Sequence, residues 1–504
     1  MRKVLIALAV TSFFIMAVGY AYAYEATQGP TELIYYDSSK AYNGYTLLRG
    51  LGGMEADPGT AWLLDMYGNV VHSWSNVVAN PQLLPDGNLL NSLPARSAEQ
   101  DSWIKELDWD GNLVNMWETP ADIIAFHHDQ LKIFNKKLNQ YTMLSLNYLN
   151  YTLEEALANG GDPSKFTGDK RACGLVEMDM DGNVIWEWRG SDHYCQDFDP
   201  TKNNYVANLS DAPGKFDINY ASGCAESGNG IDYNETLGQI LWDGKGIPEI
   251  WIIDHQGTFI PGDPEGSKAL AASDAGDLVY RWGNPCVYGA GDAPYYEYGK
   301  YGNGHKQLFN IHNGQWIDDG LPGAGHFLVF DNGYERMGAT YSTVLEIDPY
   351  DGPMENGIYV PEMEAGHGAG NLSNQVVWRF NTLLYHNNSY QGFFSNHISG
   401  AERQPNGNTL MCSGEPGHLV EVTCGDLANG VFPEVVWEYI NPDTYTHGIQ
   451  KWLTLGMYNQ VYRAHRYGPD YPGLAGRDLT PMGKITDRAG IEAIQDKLQN
   501  FLAQ

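Results

Sequence analysis

The chain has 504 residues, 62 of them acidic against 30 basic, for a formal net charge of −32 at pH 7. That balance excludes nucleic acid and anionic membrane surfaces as partners, because both would repel it. It suits the surface of an exported protein and does not by itself identify a substrate.

Arg2 and Lys3 form a short positive region, Val4 to Gly19 an apolar run, and Ala21-Tyr22-Ala23 a small-x-small cleavage site. The run is short for a bilayer span, so residues 1–23 read as a signal peptide. The mature chain then starts near Tyr24, has a periplasmic or extracellular destination and is free of the membrane. About 480 residues remain, enough for one large all-β domain or two to three ordinary ones.

Residues 24–43 read as a strand-rich lead-in. From there the chain repeats itself. DMYGNVVHSW starts at Asp65, DWDGNLVNMW at Asp108 and DMDGNVIWEW at Asp179, with weaker copies in GDLVYRW, NQVVWRF and PEVVWEY around Trp282, Trp378 and Trp437. In each, a turn containing glycine at positive φ leads into alternating apolar residues, and an aromatic ends the strand. LLPDGNLL around Gly87 and RQPNGNTLM around Gly407 form a second, interleaved repeat of the same logic.

Many short strands with regular turns point to a sandwich, a barrel or a propeller. Periods of about 40 to 50 residues favour a propeller, because each four-stranded blade must bury its faces on its neighbours. Six copies predict six blades over residues 44–480. The longer intervals, Asp192 to Asp217 and Pro353 to Leu372, read as functional loop insertions. After Pro481 the apolar residues fall at helical spacing, which predicts a terminal helix over 481–504.

Six cysteines in an exported chain permit disulfides. Cys173 with Cys195 and Cys412 with Cys424 are close enough to pair locally; Cys224 and Cys286 could pair or stay free. No Cys-x-x-Cys, Gly-x-Ser-x-Gly, His-Glu-x-x-His or Walker loop occurs, which disfavours the redox, hydrolase, zincin and nucleotide chemistries those motifs serve. His127-His128-Asp129 and the stretch from Asp192 to Asp197 hold ligand-type residues without a diagnostic metal spacing.

Longer phrases carry a resemblance. NIHNGQWIDDGLPGAGHFLVFDNGYER, YSTVLEIDP, HISGAERQPNGNTLMCSGEPGHLVEVT and VYRAHRYGPDYPGL, with earlier segments from about Gly44 onward, are similar to the bacterial and archaeal arylsulfotransferases. The likeness implies a six-bladed propeller that moves a sulfuryl group from an aryl sulfate to a phenol through a sulfohistidine, with no cofactor. It places His397 as nucleophile and His312 as the group that protonates the departing phenolate. Arg336 would be the sulfate clamp, its planar fork suiting it to sulfate oxygens, and Asn313 a further oxygen ligand. One position departs. Where family members carry a histidine two residues before Asn229, this chain has Ser227. Serine donates one hydrogen bond but cannot carry a positive charge, and losing such a contact at a developing oxyanion costs about 3 kcal/mol. His305 is the nearest candidate to rebuild the site.

Two other classes compete: a propeller that binds or assembles without catalysis, and a metal-assisted hydrolase or lactonase on the same scaffold. Association into an oligomer of identical chains is compatible with each.

Overall fold

The computed structural model describes residues 31–51, 59–95, 100–220, 228–297, 300–337, 341–349, 354–355, 358–359, 374–381, 393–426, 430–442 and 459–487. The signal peptide, Ser227 and Cys224 lie outside these residues. So do most of the stretch from Pro353 to Leu372 and the predicted terminal helix beyond Asp487.

Six antiparallel sheets form a ring, each built from four strands of successive sequence except at the closure. Blade 2 runs Ala79–Leu83, Leu89–Leu93, Trp103–Leu107 and Leu113–Glu118; blade 3 Ala125–Asn135, Gln140–Tyr151, Lys170–Met178 and Val184–Arg189. Blade 4 runs Gly228–Asn234, Gln239–Gly244, Glu249–Asp254 and Tyr280–Trp282; blade 5 Ile311–Trp316, Phe327–Asp331, Thr343–Ile347 and Val376–Phe380. Blade 6 runs Gly400–Arg403, Thr409–Ser413, His418–Val422 and Val435–Ile440. Blade 1 takes its inner strand, Val461–Tyr467, from the C-terminal part of the chain and adds Tyr45–Gly50, Gly59–Leu64 and Val70–Val77. This is the predicted six-bladed β-propeller.

The lead-in belongs to the ring. Glu32–Tyr36 adds a fifth strand to the outer edge of blade 6, pairing Glu32 with Ile440 and Tyr36 with Trp437. The chain is thus stapled twice where its ends meet, once inside blade 1 and once outside blade 6. A ring without such pairings would leave open strand edges at the seam.

The outer hairpins show why the repeat reads as it does. Asp65, Asp108 and Asp179 each accept the backbone N–H of the asparagine four residues on at 2.8 Å. Gly68, Gly111 and Gly182 take φ of 73°, 84° and 86°, a region open to glycine at little cost. The strand-end indole then hydrogen-bonds into the next blade: Trp74 to the Asp108 carbonyl, Trp117 to that of Asp179, Trp188 to that of Gly276, and Trp378 to that of Cys424. Trp437 of blade 6 donates to Met66 of blade 1 at 2.9 Å and closes the circle. Trp74, Trp117, Trp186, Trp188 and Trp437 are fully buried, and truncating such a side chain typically costs 3–5 kcal/mol.

The expected cysteine pairs are not formed. Cys195, Cys286, Cys412 and Cys424 carry free thiols. Cys412 is buried and reaches toward the Val461 carbonyl, whereas Cys424 donates to the Gly407 carbonyl and accepts from Arg403. Proximity in sequence is not proximity in space when a strand turn separates the two residues.

Candidate functional site

All six inner strands run the same way along the central channel, so their starts share one mouth and their ends the other. The predicted histidines lie at the starts. His397 sits on the loop entering blade 6, His312 near the start of blade 5's inner strand, and His128 on that of blade 3.

The loop that carries His397 is strained and heavily tied. Ile398 and Ser399 take φ of 53° and 97°; such conformations cost on the order of 1–3 kcal/mol each and persist only when surroundings enforce them. The Ile398 N–H donates to His312 Nε2 at 3.0 Å, the Ser399 N–H to the Tyr462 carbonyl at 3.1 Å, and the Gly414 N–H to Ser399 Oγ at 2.9 Å. Asn332 Nδ2 donates to the carbonyls of Ser395 and Ile398. That fixes Asn332 Oδ1 as an acceptor, and His312 Nδ1–H donates to it at 2.6 Å.

His312 is therefore a neutral Nδ1–H imidazole with both nitrogens used inside the protein. It is 3% exposed. Burial holds its pKa well below the usual imidazole range; Lys245, His128 and His397 push the same way, and the Asn332 bond opposes. His397 is half-buried, and its Nδ1 meets Asn396 Oδ1. With the Asn396 amide oxygen turned toward the ring, that contact assigns the proton to Nδ1.

The remaining predicted residues hold partners of their own. Arg336 pairs with Asp331, its guanidinium lying 4.7 Å from the Phe309 ring centroid and 4.4 Å from that of Tyr341. Asn313 Oδ1 accepts the Ala401 N–H at 3.0 Å. Asn313 takes φ of 51° at a break in strand register, and its side chain stitches blade 5 to blade 6 and lines the cavity at the other mouth. Asn229 donates to the Ile311 carbonyl and accepts from the Tyr462 hydroxyl, both at 3.4 Å. His305 Nδ1 accepts the Asp292 N–H at 2.8 Å, a bond within its own loop. His127 stacks on Tyr148 and contacts His128, while Asp129 binds Arg463 and Asn80. Among the described residues no group of three or more His, Cys, Asp and Glu is arranged to hold a metal ion.

Sequence reasoning missed Lys245, in the turn after Gln239–Gly244, which presents its charge to His312. Its only local signal is Gly244-Lys245-Gly246, a generic turn. It also missed the floor of this mouth. The Tyr462 hydroxyl crosses from blade 1 to blade 4, and beneath it Arg463 pairs with Asp129 at 2.7 Å. Burial lifts the neighbouring Asp243 to about 7 despite Arg463, and Asp243 accepts the Gly314 N–H. A Cβ at Gly230 would lie 2.2 Å from Asp243 Oδ2, so glycine is needed where these groups converge.

No protein-family model matches the chain, and no curated protein matches it. Solved structures do resemble it. A Bacteroides caccae protein of unknown function is 12% identical with a TM-score of 0.39, over 84% of this chain and all of that one. A periplasmic gluconolactonase of Pseudomonas aeruginosa is 10% identical with a TM-score of 0.34, over 79% and 96% of the two chains. The dihydro-heme d1 dehydrogenase NirN is 11% identical with a TM-score of 0.33, over 89% and 80%. Likeness at this level carries no argument about chemistry, and the propeller stands on its own six sheets.

Proposed function

We propose that the mouth at His397 is the active site of an arylsulfotransferase. The observation that carries this reading is the coupling of His397 to His312. One strained loop presents a half-buried imidazole with its lone pair on Nε2, and the next residue is bolted to a buried neutral histidine beside Lys245.

In the first step His397 Nε2 attacks sulfur, the S–N bond forms and the S–O bond to the phenol breaks. The departing phenolate takes the electron pair. In the second step an acceptor phenol gives its proton to solvent water, attacks the same sulfur as the S–N bond breaks, and releases His397. Charge in such a loose transition state spreads over the non-bridging oxygens, so fixed cations matter most. Lys245 supplies one. Arg336 supplies a second only by giving up part of its bond to Asp331. His312 acts as a positioning residue, since proton transfer through it would first require release of the Ile398 N–H.

Purified protein is expected to move sulfate from 4-nitrophenyl sulfate to phenol, and His397→Ala to stop nitrophenolate release. A folded protein that transfers to no member of a phenol panel refutes the proposal. Unchanged release in the variant refutes the assigned nucleophile.

One observation favours a second reading, a propeller that binds without transferring: His312 has no ring nitrogen left for substrate. Binding of 4-nitrophenyl sulfate with no turnover would select it.

A further inference from the structure

With 62 acidic residues against 30 basic, a cation drawn out of water in this chain has carboxylates in plenty, and its buried arginines take them. Arg281 pairs with Glu249, Arg336 with Asp331 and Arg463 with Asp129. Lys306 departs from that rule. Its side chain is half-buried, yet among the described residues its ammonium forms neither a hydrogen bond nor an ion pair. What it touches is a ring: Nζ lies 4.9 Å from the Phe309 centroid, which the Arg336 guanidinium approaches to 4.7 Å.

The neighbouring acids do not complete it. Asp331 is already taken by Arg336 and by the N–H groups of Phe309 and Gly333, and Glu335 is exposed. An ammonium held out of water without a partner is unfavourable, and a second cation on the same ring adds repulsion. Burial accordingly lowers the Lys306 pKa; Arg336 acts the same way, and Glu335, Cys286 and Asp331 oppose. An anion arriving from solution would restore the charged form. A neutral ligand leaves the charge unanswered, and a cation would be repelled by Lys306 and Arg336 together.

Lys306 belongs to the His397 mouth. Its loop leads into the start of blade 5's inner strand, and Arg336 lies in the turn between that blade's second and third strands, at the same end. Four residues on from Lys306, Asn310 donates to the carbonyl of Asn396, the residue before His397, at 3.3 Å. Four residues of backbone span at most about 14 Å.

We propose that Lys306 anchors an oxyanion-binding site at this mouth, with Arg336 beside it on the Phe309 ring. The three donors of an ammonium on a flexible stem suit the oxygens of a sulfate group, whether on an organic ester or as the free ion. The site adds to the transferase reading a cation that need not leave a carboxylate, and it requires binding alone.

Titration calorimetry on His397→Ala protein, in which the proposed nucleophile is absent, tests this with 4-nitrophenyl sulfate and, separately, inorganic sulfate. Lys306→Met in that background should weaken the tighter ligand at least about tenfold, whereas Lys306→Arg, which keeps the charge, should stay within about threefold. Raising the pH from about 8 to about 10 should weaken binding to the parent as Lys306 loses its proton, and leave Lys306→Arg unchanged. Glu335, Asp331, Arg336 and Cys286, which surround the group, are common to both proteins. Should Lys306→Met fail to melt cooperatively, Lys306→Gln takes its place with the same expected loss. Tighter binding of the ester names an organic sulfate as ligand and tighter binding of the ion a free anion; either upholds the site. Binding of neither, a Lys306→Met protein that binds like its parent, or a Lys306→Arg protein as weak as Lys306→Met overturns it. Binding that depends on Lys306 in a wild-type chain releasing no nitrophenolate upholds the site and refutes the transferase reading alone. Release whose KM is unmoved by Lys306→Met does the reverse.

Discussion

The same six inner strands build both mouths of the channel, yet the two ends treat their polar groups in opposite ways. At the His397 mouth His312, Asn332, Ser395 and Ser399 are bound to one another through backbone strained into positive φ. At the other mouth an open volume is lined by Asp232, Asp318 and Glu402, and the arginines of its wall, Arg463, Arg403 and Arg466, are paired with Asp129, Glu346 and Glu421. A closed network fixes one reactive group in position, as group transfer demands. An open polar volume leaves room for a molecule, as binding demands.

The largest effect expected at either end is that of His397→Ala. Removing a nucleophile should lower nitrophenolate release by at least about a thousandfold, or ~4 kcal/mol. The half-buried ring should contribute about 1 kcal/mol or less to stability, read by urea unfolding. If the release rate falls only in proportion to the folded fraction, the two mouths do not differ in the way argued.

Asn332→Ala attacks the closed network itself. It removes the acceptor for His312 Nδ1–H and the donor for two carbonyls, all buried. Net loss should be about 3 kcal/mol in urea, with nitrophenolate release falling further than stability because His397 loses its anchor.

The two mouths should also answer pH with opposite signs. His312 is held neutral, so an unfolded chain takes up a proton that the folded one refuses, and stability is lost as pH falls below about 6.5. Asp232 is held protonated, so the unfolded chain releases a proton that the folded one keeps. Its contribution is present near pH 4 and is lost as pH rises toward its value of about 8. Asp232→Asn should therefore gain about 2 kcal/mol on wild type between pH 5 and pH 8, discounted from the full linkage value. A constant difference across that range would place the Asp232 carboxyl in water rather than in a desolvated wall.

How much of this was legible follows from which forces act locally. The Asp-x-x-Gly-Asn turn is complete within five residues, so the outer hairpins of blades 1, 2 and 3 and their indoles could be read directly. The seam could not. Tyr45–Gly50 pairs with Val461–Tyr467 across most of the chain, and neither segment carries a mark of the other. His312 and His397 were located by the resemblance, and blade order explains why they meet. Their hydrogen bonds, which turn His312 from a proton donor into a support, depend on Asn332 and Ile398, whose roles only the folded backbone sets. The cavity at the other mouth was invisible for a related reason: Asp232, Gln404 and Arg463 come from three blades, and only the closed ring brings them together.

The smallest effect asks whether the two mouths are separate sites at all. Tyr462 lies between them, 4% exposed, with its hydroxyl 3.4 Å from the Asn229 carbonyl and its own carbonyl bound to Ser399. Tyr462→Phe deletes the hydroxyl and its long bond to the Asn229 carbonyl and keeps the ring. It should cost less than about 1 kcal/mol, change nitrophenolate release by no more than about twofold and leave the pH-dependent gain of Asp232→Asn as it is, since distant sites without shared partners behave additively. The ring and the Arg463–Asp129 pair beneath it would then be the wall. If instead the variant makes that gain depend on aryl sulfate, the Tyr462 hydroxyl keeps the two mouths independent, and the channel is one site divided rather than two sites stacked.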